Sequence, residues 1–167
     1  MNNQVKRNYL EIKSINDLVI KKKPSNILHL SIANPNDFQL NKFFYKQIGK
    51  KHKWLDRLVW SDKTWNDYLN TNGVNTYILK EKDDLIGYFE QIFSKENLDC
   101  EIAYFGILEE YIGKNLGGYL LSEAIKKSFE IGAKRVWVHT CSLDHKHALN
   151  NYISRGMKVF QTEIINL

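Results

Sequence analysis

The order of hydrophobic and polar residues in the second half of the chain predicts strands, then a long helix, then further alternation. Short apolar segments separated by turn residues indicate an antiparallel meander, with strands expected at 75–80, 85–93 and 100–108. From 114 to 131 the apolar positions repeat at helical spacing, and Gly132 follows them, which predicts an amphipathic helix. A strand over 134–140, a helix over 144–154 and a strand over 158–164 complete this half.

The first half of the chain contains fewer predicted elements. A strand is expected over 8–14, where charged and apolar residues alternate. Asp37 precedes an apolar helical segment at 38–47, and Ser61 precedes another that runs to about Asn70. Gly73 breaks this second helix before the meander begins.

Together these elements predict an α/β fold. The strand, helix and strand between 100 and 140 should close with a right-handed crossover, which makes the two strands parallel. The preceding meander is antiparallel, so the central sheet is expected to be mixed, with helices on both faces. Open sheets of this kind bind ligands at the carboxyl ends of their strands.

The composition indicates a single domain over residues 1–167. Hydrophobic residues make up 43% of the chain and charged residues 26%, proportions that are typical of a globular protein. No apolar run approaches the roughly 20 residues needed to cross a bilayer, and the first residues lack the apolar stretch of a signal peptide. Two cysteines do not make a disulfide framework, so we expect a cytoplasmic protein without a membrane partner.

The net charge of +5 is concentrated in the first 67 residues, which hold 13 Lys and Arg against 6 Asp and Glu. Such a balance can attract an acidic acceptor or a nucleic acid. It can equally come from solvated surface lysines, such as the three consecutive lysines at 21–23. Because the basic residues form no helical stripe, we favour solvated lysines and expect no nucleic-acid partner.

The segment 108–118 contains the most informative motif of the chain. It follows a predicted strand, opens the long helix and contains Gly113, Gly117 and Gly118. Glycines let a backbone approach a ligand closely, and free N–H groups at a helix start bind anions such as pyrophosphate. The segment lacks the Gly-x-x-x-x-Gly-Lys-Ser/Thr pattern of a P-loop, and no dinucleotide-binding fingerprint lies near the start of the chain.

This segment resembles motif A of the Gcn5-related N-acetyltransferases, Gln/Arg-x-x-Gly-x-Gly/Ala, which holds the pyrophosphate of acetyl-CoA. Ile112 stands at the Gln/Arg position, Asn115 at the first Gly and Gly117 at the second. Asn tolerates positive φ better than most residues, and Ile112 keeps the backbone N–H that would bind the ligand. The motif is therefore recognisable although two of its positions differ.

A second segment resembles motif B of the same superfamily, Asn-x-x-Ala-x-x-x-Tyr followed by Gly-Phe. Ala148 and Tyr152 keep the spacing of four, Gly156 is followed by Met157, and His145 stands at the Asn position. The resemblance covers about residues 75–165, the expected acyl-CoA-binding core. It leaves residues 1–70 as the variable acceptor side.

The resemblance implies an N-acetyltransferase that takes acetyl-CoA as its acyl donor, uses no metal, and transfers the acyl group directly to a primary amine of a small molecule or peptide. Tyr152 would protonate the departing thiolate or donate a hydrogen bond to it, and Glu101 would deprotonate the amine. Glu90, on the neighbouring strand, would face the acceptor and is the alternative base. Trp54 and Trp60 would line the acceptor pocket. The donor would be held by Phe105, Gly106, Ile107, Ile112, Gly113, Lys114, Asn115, Leu116, Gly117, Gly118 and His145.

Two alternatives stand beside this interpretation. His139 and Cys141 share a strand face, but no third ligand or positioned base accompanies them, so a small buried cysteine is favoured over a metal site or a nucleophile. The departures at Ile112, Asn115 and His145 are also compatible with a non-catalytic module that binds acyl-CoA or a basic partner. The resemblance also allows a homodimer.

Overall fold

A computed structural model describes residues 4–166. Within these residues the chain forms seven strands and four α-helices. In chain order they are β1 Gln4–Ile12, β2 Leu28–Ile32, α1 Phe38–Gly49, α2 Asp62–Leu69, β3 Val74–Glu81, β4 Asp84–Ser94, β5 Asp99–Ile107, α3 Leu116–Glu130, β6 Arg135–Cys141, α4 Ala148–Ser154 and β7 Lys158–Asn166. None of the helices between residues 4 and 166 has both the length and the apolar character that crossing a membrane requires.

The strands of residues 4–166 form one mixed sheet in the order β2-β3-β4-β5-β6-β1-β7. β5 and β6 run parallel, and the other neighbouring strands are antiparallel. Helix α3 makes the crossover between the two parallel strands. The predicted α/β fold, an antiparallel meander followed by a parallel strand–helix–strand unit, is confirmed.

Apolar cores lie on both faces of the sheet. On one side, here called the α3 face, Leu120 and Ile125 of α3 pack in a cluster with Val138 of β6. On the other, the α1 face, the ring of Phe44 stacks on that of Tyr88 with centroids 5.1 Å apart. The helical spacing of the apolar residues and the alternation along the strands together direct these side chains inward. Helices therefore cover both faces, as predicted.

The sheet opens between β5 and β6. In the part of the chain that the structure describes, these strands pair at only three positions, from Asp99 with Arg135 to Glu101 with Trp137. Beyond Glu101 and Trp137 the two strands separate, and we call this point the fork. The separated strand edges leave backbone groups available to a ligand at the carboxyl ends of both strands.

A β-bulge lies in β5 next to the fork. Glu90 of β4 pairs with Tyr104, whereas Gln91 pairs with Ile102, so Ala103 is an extra residue. Ile102 belongs to the core on the α3 face and Tyr104 packs on the α1 face. Since side chains alternate along a strand, Glu101 points to the α1 face. The bulge therefore puts Glu101 and Tyr104 on the same face although they are three residues apart.

Several element boundaries differ from the prediction. β2 was not predicted, and β1 begins at Gln4 rather than residue 8. Helix α4 begins at Ala148 rather than residue 144, because Asp144 accepts hydrogen bonds from the Thr140 hydroxyl and the Cys141 N–H and so closes a turn. The Ser61 cap of α2 is confirmed, since its hydroxyl accepts from the Thr64 N–H, whereas Asp37 makes no such bond at the start of α1.

Candidate functional site

A cleft of about 1030 Å³ opens at the fork and gathers most of the residues that the sequence indicated. Those in its lining are Trp54, Glu101, Phe105, Gly106, Ile107, Ile112, Gly113, Asn115, Leu116, Gly117, Gly118, His145 and Tyr152. The predicted residues Trp60, Glu90 and Lys114 are not part of that lining. The cleft thus unites the glycine-rich loop, the free edge of β5 and the motif B segment.

The glycine-rich loop enters α3 through left-handed backbone geometry. Gly113 has a φ of +86° and Asn115, the N-cap of α3, has a φ of +60°. Asn is one of the few side chains that tolerate this region, which explains how it can replace a glycine there. The N–H groups of the first turn of α3 have no partner within the helix and, with the helix dipole, favour an anion.

Two cationic side chains flank the start of α3. A Cβ at Gly118 would lie 2.6 Å from Nη1 of Arg155 and 3.3 Å from Cγ of Lys21. The Lys21 N–H donates to the Ser122 hydroxyl at 2.8 Å, which ties the segment before β2 to α3. Any residue larger than glycine at 118 would displace Arg155. Lys114, in contrast, lies over the ring of Tyr111, with Nζ 5.1 Å from its centroid.

Glu101 is a half-buried carboxylate at the fork. Within residues 4–166 it takes part in no side-chain hydrogen bond or ion pair. Burial raises the pKa of this carboxyl, the negative charge of Glu90 raises it further, and Arg57 opposes the shift. A carboxylate without a partner, whose pKa is moved toward neutrality, can accept a proton from a bound ligand.

Tyr152 projects from α4 into the same cleft and is 7% exposed. Its ring centroid lies 6.4 Å from that of Phe105 on β5. Burial, followed by the charge of Asp144, raises the pKa of its hydroxyl above the ordinary value. The hydroxyl therefore stays protonated at neutral pH and is available as a hydrogen-bond donor.

Gly106 has a packing reason to be glycine. A Cβ there would lie 2.7 Å from Cγ2 of Ile48, so the residue lets α1 approach β5 closely. Phe105, Gly106 and Ile107 pair with β4 along one edge, and their other edge lies beyond the fork, where β6 has separated. The backbone of this segment therefore faces the cleft.

Glu90 lies in the interior and has no exposure to solvent. Its carboxylate accepts hydrogen bonds from Nη1 and Nη2 of Arg57, both at 2.8 Å, from the Tyr68 hydroxyl at 2.6 Å and from Nδ2 of Asn41 at 2.8 Å. Asn41 also donates to the Thr76 hydroxyl. The acceptor capacity of Glu90 is therefore satisfied within the protein.

Arg57 links this carboxylate to a cage of aromatic rings. Its guanidinium carbon lies between 4.3 and 5.7 Å from the centroids of Tyr45, Trp60, Trp65, Tyr68 and Tyr104. Trp60 thus packs against Arg57 and α2 instead of facing the cleft. The Arg57 N–H also donates to the Tyr45 hydroxyl, so both its backbone and its side chain fix the segment between α1 and α2.

Trp54 brings that segment to the wall of the cleft. Its ring centroid lies 4.9 Å from that of Tyr104. A Cβ at Gly49 would lie 2.5 Å from Cβ of Trp54, so the end of α1 needs glycine to accommodate it. Asp56, next to Arg57, also lines the cleft. An aromatic wall with a neighbouring carboxylate suits a cationic organic ligand.

His145 lies at the cleft beside two other histidines. Its ring centroid is 6.3 Å from that of His52 and 5.4 Å from that of His147. Burial, followed by the charges of these neighbours, lowers the pKa of His145, so it is neutral at pH 7. Residues 4–166 contain no group of three or more His, Cys, Asp or Glu side chains placed to share a metal ion.

Tyr104, Arg7 and His139 line the cleft without having been assigned to the site from the sequence. Tyr104 lies within the predicted strand that holds Glu101, but strict alternation would have put the two on opposite faces. Arg7 precedes the strand predicted to begin at residue 8, so the sequence did not predict which face of the sheet its side chain would occupy. Trp137, His139 and Cys141 alternate along their strand, and this pattern could have placed His139 on the face of the sheet that lines the cleft.

The sequence matches the family model described as the acetyltransferase (GNAT) family over residues 38–157. No curated protein sequence matches the chain. Among solved structures, an aminoglycoside acetyltransferase from an uncultured soil metagenomic sample is similar at a TM-score of 0.67 and 14% identity, covering 80% of this chain and 90% of that one.

Two further structures share the fold. A GCN5-related N-acetyltransferase from Sphaerobacter thermophilus has a TM-score of 0.76 at 13% identity, covering 98% of this chain and 51% of that one. One from Kribbella flavida has a TM-score of 0.67 at 13% identity, with coverages of 94% and 55%. The present chain therefore spans about half the length of each of these two proteins.

Proposed function

The chain belongs to the acetyltransferase (GNAT) family, and from that premise we propose that it transfers an acetyl group from acetyl-CoA directly to a primary amine of a small molecule or peptide. The observation that carries the proposal is the meeting of three features in one cleft: the anion-binding start of α3, the fork between β5 and β6, and the unpartnered carboxylate of Glu101. The similar aminoglycoside acetyltransferase, solved with sisomicin, supports an amine as the acceptor.

The donor would be bound by the loop and the fork. The pyrophosphate fits the N–H groups between Gly113 and Gly118, with Lys21 and Arg155 supplying positive charge beside them. The pantetheine arm fits between the separated strands, where it can pair with the free edge of β5 at Phe105–Ile107. Acetyl-CoA then supplies a thioester carbonyl carbon at the fork. Free backbone N–H groups beside it would stabilise negative charge on the carbonyl oxygen.

We assign the proton from the amine to Glu101. An alkylamine has a pKa near 10.4, so at neutral pH it arrives protonated and must lose a proton before its nitrogen can attack. Because burial raises the pKa of Glu101, its carboxylate is a stronger base than that of an exposed glutamate. No neighbouring donor occupies it within the described residues.

Tyr152 is assigned to the departing thiolate. Its hydroxyl keeps its proton at neutral pH and lies in the cleft beside Phe105. A thiol with a pKa of about 8.5 leaves as a weak base, so a hydrogen bond from Tyr152 is enough to stabilise it. The raised pKa of the hydroxyl makes complete transfer of its proton the more difficult role.

We assign Glu90 a positioning role. Two of its four hydrogen bonds hold Arg57 and thereby the segment that carries Trp54 and Asp56 to the cleft wall. Its charge also raises the pKa of Glu101. Both free thiols, Cys100 and Cys141, suit a reducing compartment, so we place the enzyme in the cytoplasm.

The test is release of free thiol from acetyl-CoA in the presence of a panel of primary amines, with product acetylation followed by mass spectrometry. Amine-dependent release with transfer of one acetyl group supports the proposal. Tight acetyl-CoA binding without turnover on any amine would instead favour the non-catalytic module. The departures from the motifs at Ile112, Asn115 and His145 are compatible with that alternative.

A further inference from the structure

The wall of the cleft opposite α1 and α2 is built by strands from the other half of the sheet. Arg7 and Val5 of β1, His139 of β6 and Ile165 of β7 all line it. Arg7 pairs with Cys141 and Tyr9 with His139, so these side chains share the α1 face with Glu101. Arg7 and Glu101 therefore line the same cleft from the same face of the sheet.

The guanidinium of Arg7 has unused binding capacity. Its nearest carboxylate oxygen within residues 4–166 is Oε1 of Glu163, at 3.6 Å, and that oxygen already accepts a hydrogen bond from the Tyr9 hydroxyl at 2.7 Å. Nε of Arg7 is buried and has no partner among the described residues. A guanidinium has five N–H donors, and a partly buried one whose donors are only partly used favours an added anion.

The charge of Arg7 is felt inside the cleft. Burial lowers the pKa of His139, and the positive charge of Arg7 lowers it further, against the opposing charges of Asp144 and Glu163. His139 is therefore neutral at pH 7 and does not compete with Arg7 for an anion. Glu163, the only carboxylate of the described residues paired with Arg7, is shared with Tyr9 and neutralises it incompletely.

The strand register gives the distance between Arg7 and the proposed base. Glu101 is level with Trp137, and Trp137 is level with Glu11, whereas Arg7 is four residues further along β1, level with Cys141. Four residues correspond to about 13 Å along the strands, and two strand spacings to about 10 Å across them, or about 16 Å between the two Cα atoms. Since both side chains stand roughly perpendicular to the sheet, their charged groups stay separated by more than the width of an α-amino acid.

From these observations we propose that the cleft selects primary amines that carry an anionic group several bonds away from the nitrogen, and that Arg7 binds this anion while the amine lies at Glu101. The inference rests on the proposed amine acetylation and adds the class of acceptor. Carboxylates and phosphates share the chemistry that a guanidinium recognises through paired N–H donors.

The test compares acceptors of similar length with and without an anionic group, and adds one short acid. The kcat/KM for 6-aminohexanoate is compared with the values for its methyl ester and for hexylamine, with 5-aminopentyl phosphate as the phosphate arm and glycine as the short acid. We expect the kcat/KM for the acid to exceed that for its ester by about 10–100-fold, which is the typical contribution of a hydrogen bond to a charged group. The carboxylate of glycine should give no such increase. Whichever of the two long anions has the higher kcat/KM identifies the anion.

Three variants locate the anion site. Arg7→Met should bring the ratio of acid to ester close to one. Glu163→Gln should raise that ratio, since it removes the charge that partly neutralises Arg7. Arg135→Met is the matched control: Arg135 lies on the same face but is already paired with Glu11 and Asp99 and does not line the cleft, so the ratio should not change.

Equal kcat/KM for the acid and its ester in the parent protein overturns the proposal, as does a ratio that survives in Arg7→Met. Calorimetric titration of 6-aminohexanoate into protein saturated with CoA separates this inference from the catalytic one. If no amine is acetylated but the acid binds and Arg7→Met weakens it at least tenfold, the proposed function fails and the anion site stands. Binding that is indifferent to Arg7 rejects the site whether or not the protein turns over.

Discussion

Replacing Arg57 by methionine should destabilise the protein strongly, because it leaves a buried carboxylate without its cation. The side chains of Arg57 and Glu90 are 6% and 0% exposed. The substitution removes both guanidinium hydrogen bonds and leaves Glu90 with only those from Tyr68 and Asn41. Breaking a buried pair by removing one partner typically costs about 3–5 kcal/mol. The cation–π contacts of the cage are lost as well.

The reciprocal variant and the double variant sharpen this expectation. Glu90→Gln leaves the guanidinium buried without a counter-charge and should cost a similar amount. In Arg57→Met combined with Glu90→Gln neither charge remains, so the double variant should be more stable than the sum of the single effects predicts, by about 1–3 kcal/mol. For a chain of this size, 3–5 kcal/mol corresponds to a fall in Tm of about 6–20 °C.

Urea unfolding followed by tryptophan fluorescence, with calorimetry for Tm, gives all four corners of the cycle. Thr64→Ala, an exposed change on α2 outside the buried network, controls for general effects on that helix. Single variants within about 1 kcal/mol of the parent, or strictly additive effects in the double variant, would refute the account of Glu90 and Arg57 as a coupled buried pair.

Four further predictions concern the proposed site: three test its binding and chemistry, and one tests its stability. Gly117→Glu should abolish acetyl-CoA binding by calorimetry, whereas Gly117→Ala should bind normally, since a Cβ there meets only Nδ2 of Asn151 at 3.7 Å. Tyr152→Phe should lower kcat and kcat/KM together by about 10²–10⁴-fold with little change in the KM for acetyl-CoA, and a loss under threefold would leave Tyr152 a packing role. In Glu101→Gln the remaining kcat/KM should climb about tenfold per pH unit toward the amine pKa of ~10.4, unlike the parent profile, which should level off above the pKa of Glu101. Because burial raises the pKa of Glu101, the ionised carboxylate destabilises the folded protein at pH values above that pKa. Glu101→Gln should therefore raise Tm at pH 7, and this gain in Tm should disappear below the ordinary pKa of a glutamate. An unchanged Tm at pH 7 would contradict the burial effect.

Local pattern was sufficient to predict most of the fold. The helical spacing over α3 and the turn residues of the meander depend on neighbours in sequence, and their elements lie where expected. β2 escaped prediction because it is a five-residue edge strand with exposed His29 and Ile32, so its alternation is weak. The start of α4 was predicted too early for a different reason: the Asp144 carboxylate accepts hydrogen bonds from the Thr140 hydroxyl and the Cys141 N–H and so closes a turn before the helix.

The site was predictable where it follows a motif and unpredictable where it depends on distant pairs. The loop from Ile112 to Gly118 could be recognised by its resemblance to a family motif. The environment of Glu90 could not be predicted, because its partner Arg57 is 33 residues away and the aromatic cage around Arg57 comes from α1, α2, β5 and the segment between the two helices. Arg7 and Glu163 are separated by most of the chain and meet only through the pairing of β1 with β7.

The extra residue at Ala103 lets β5 present a carboxylate at the fork although its sequence spacing is odd. If β5 paired regularly through residue 103, Glu101 and Tyr104 would lie on opposite faces of the sheet. A shift of the segment before residue 103 would then turn Glu101 and Ile102 over together and bring Cys100, now buried under α3, to the cleft. Deletion of residue 103 has the opposite consequence, because Gln91 stays opposite Ile102 and Glu90 opposite Tyr104, and the carboxylate keeps its face. The bulge is therefore a place where the chain can lose one residue without exchanging its carboxylate for a thiol.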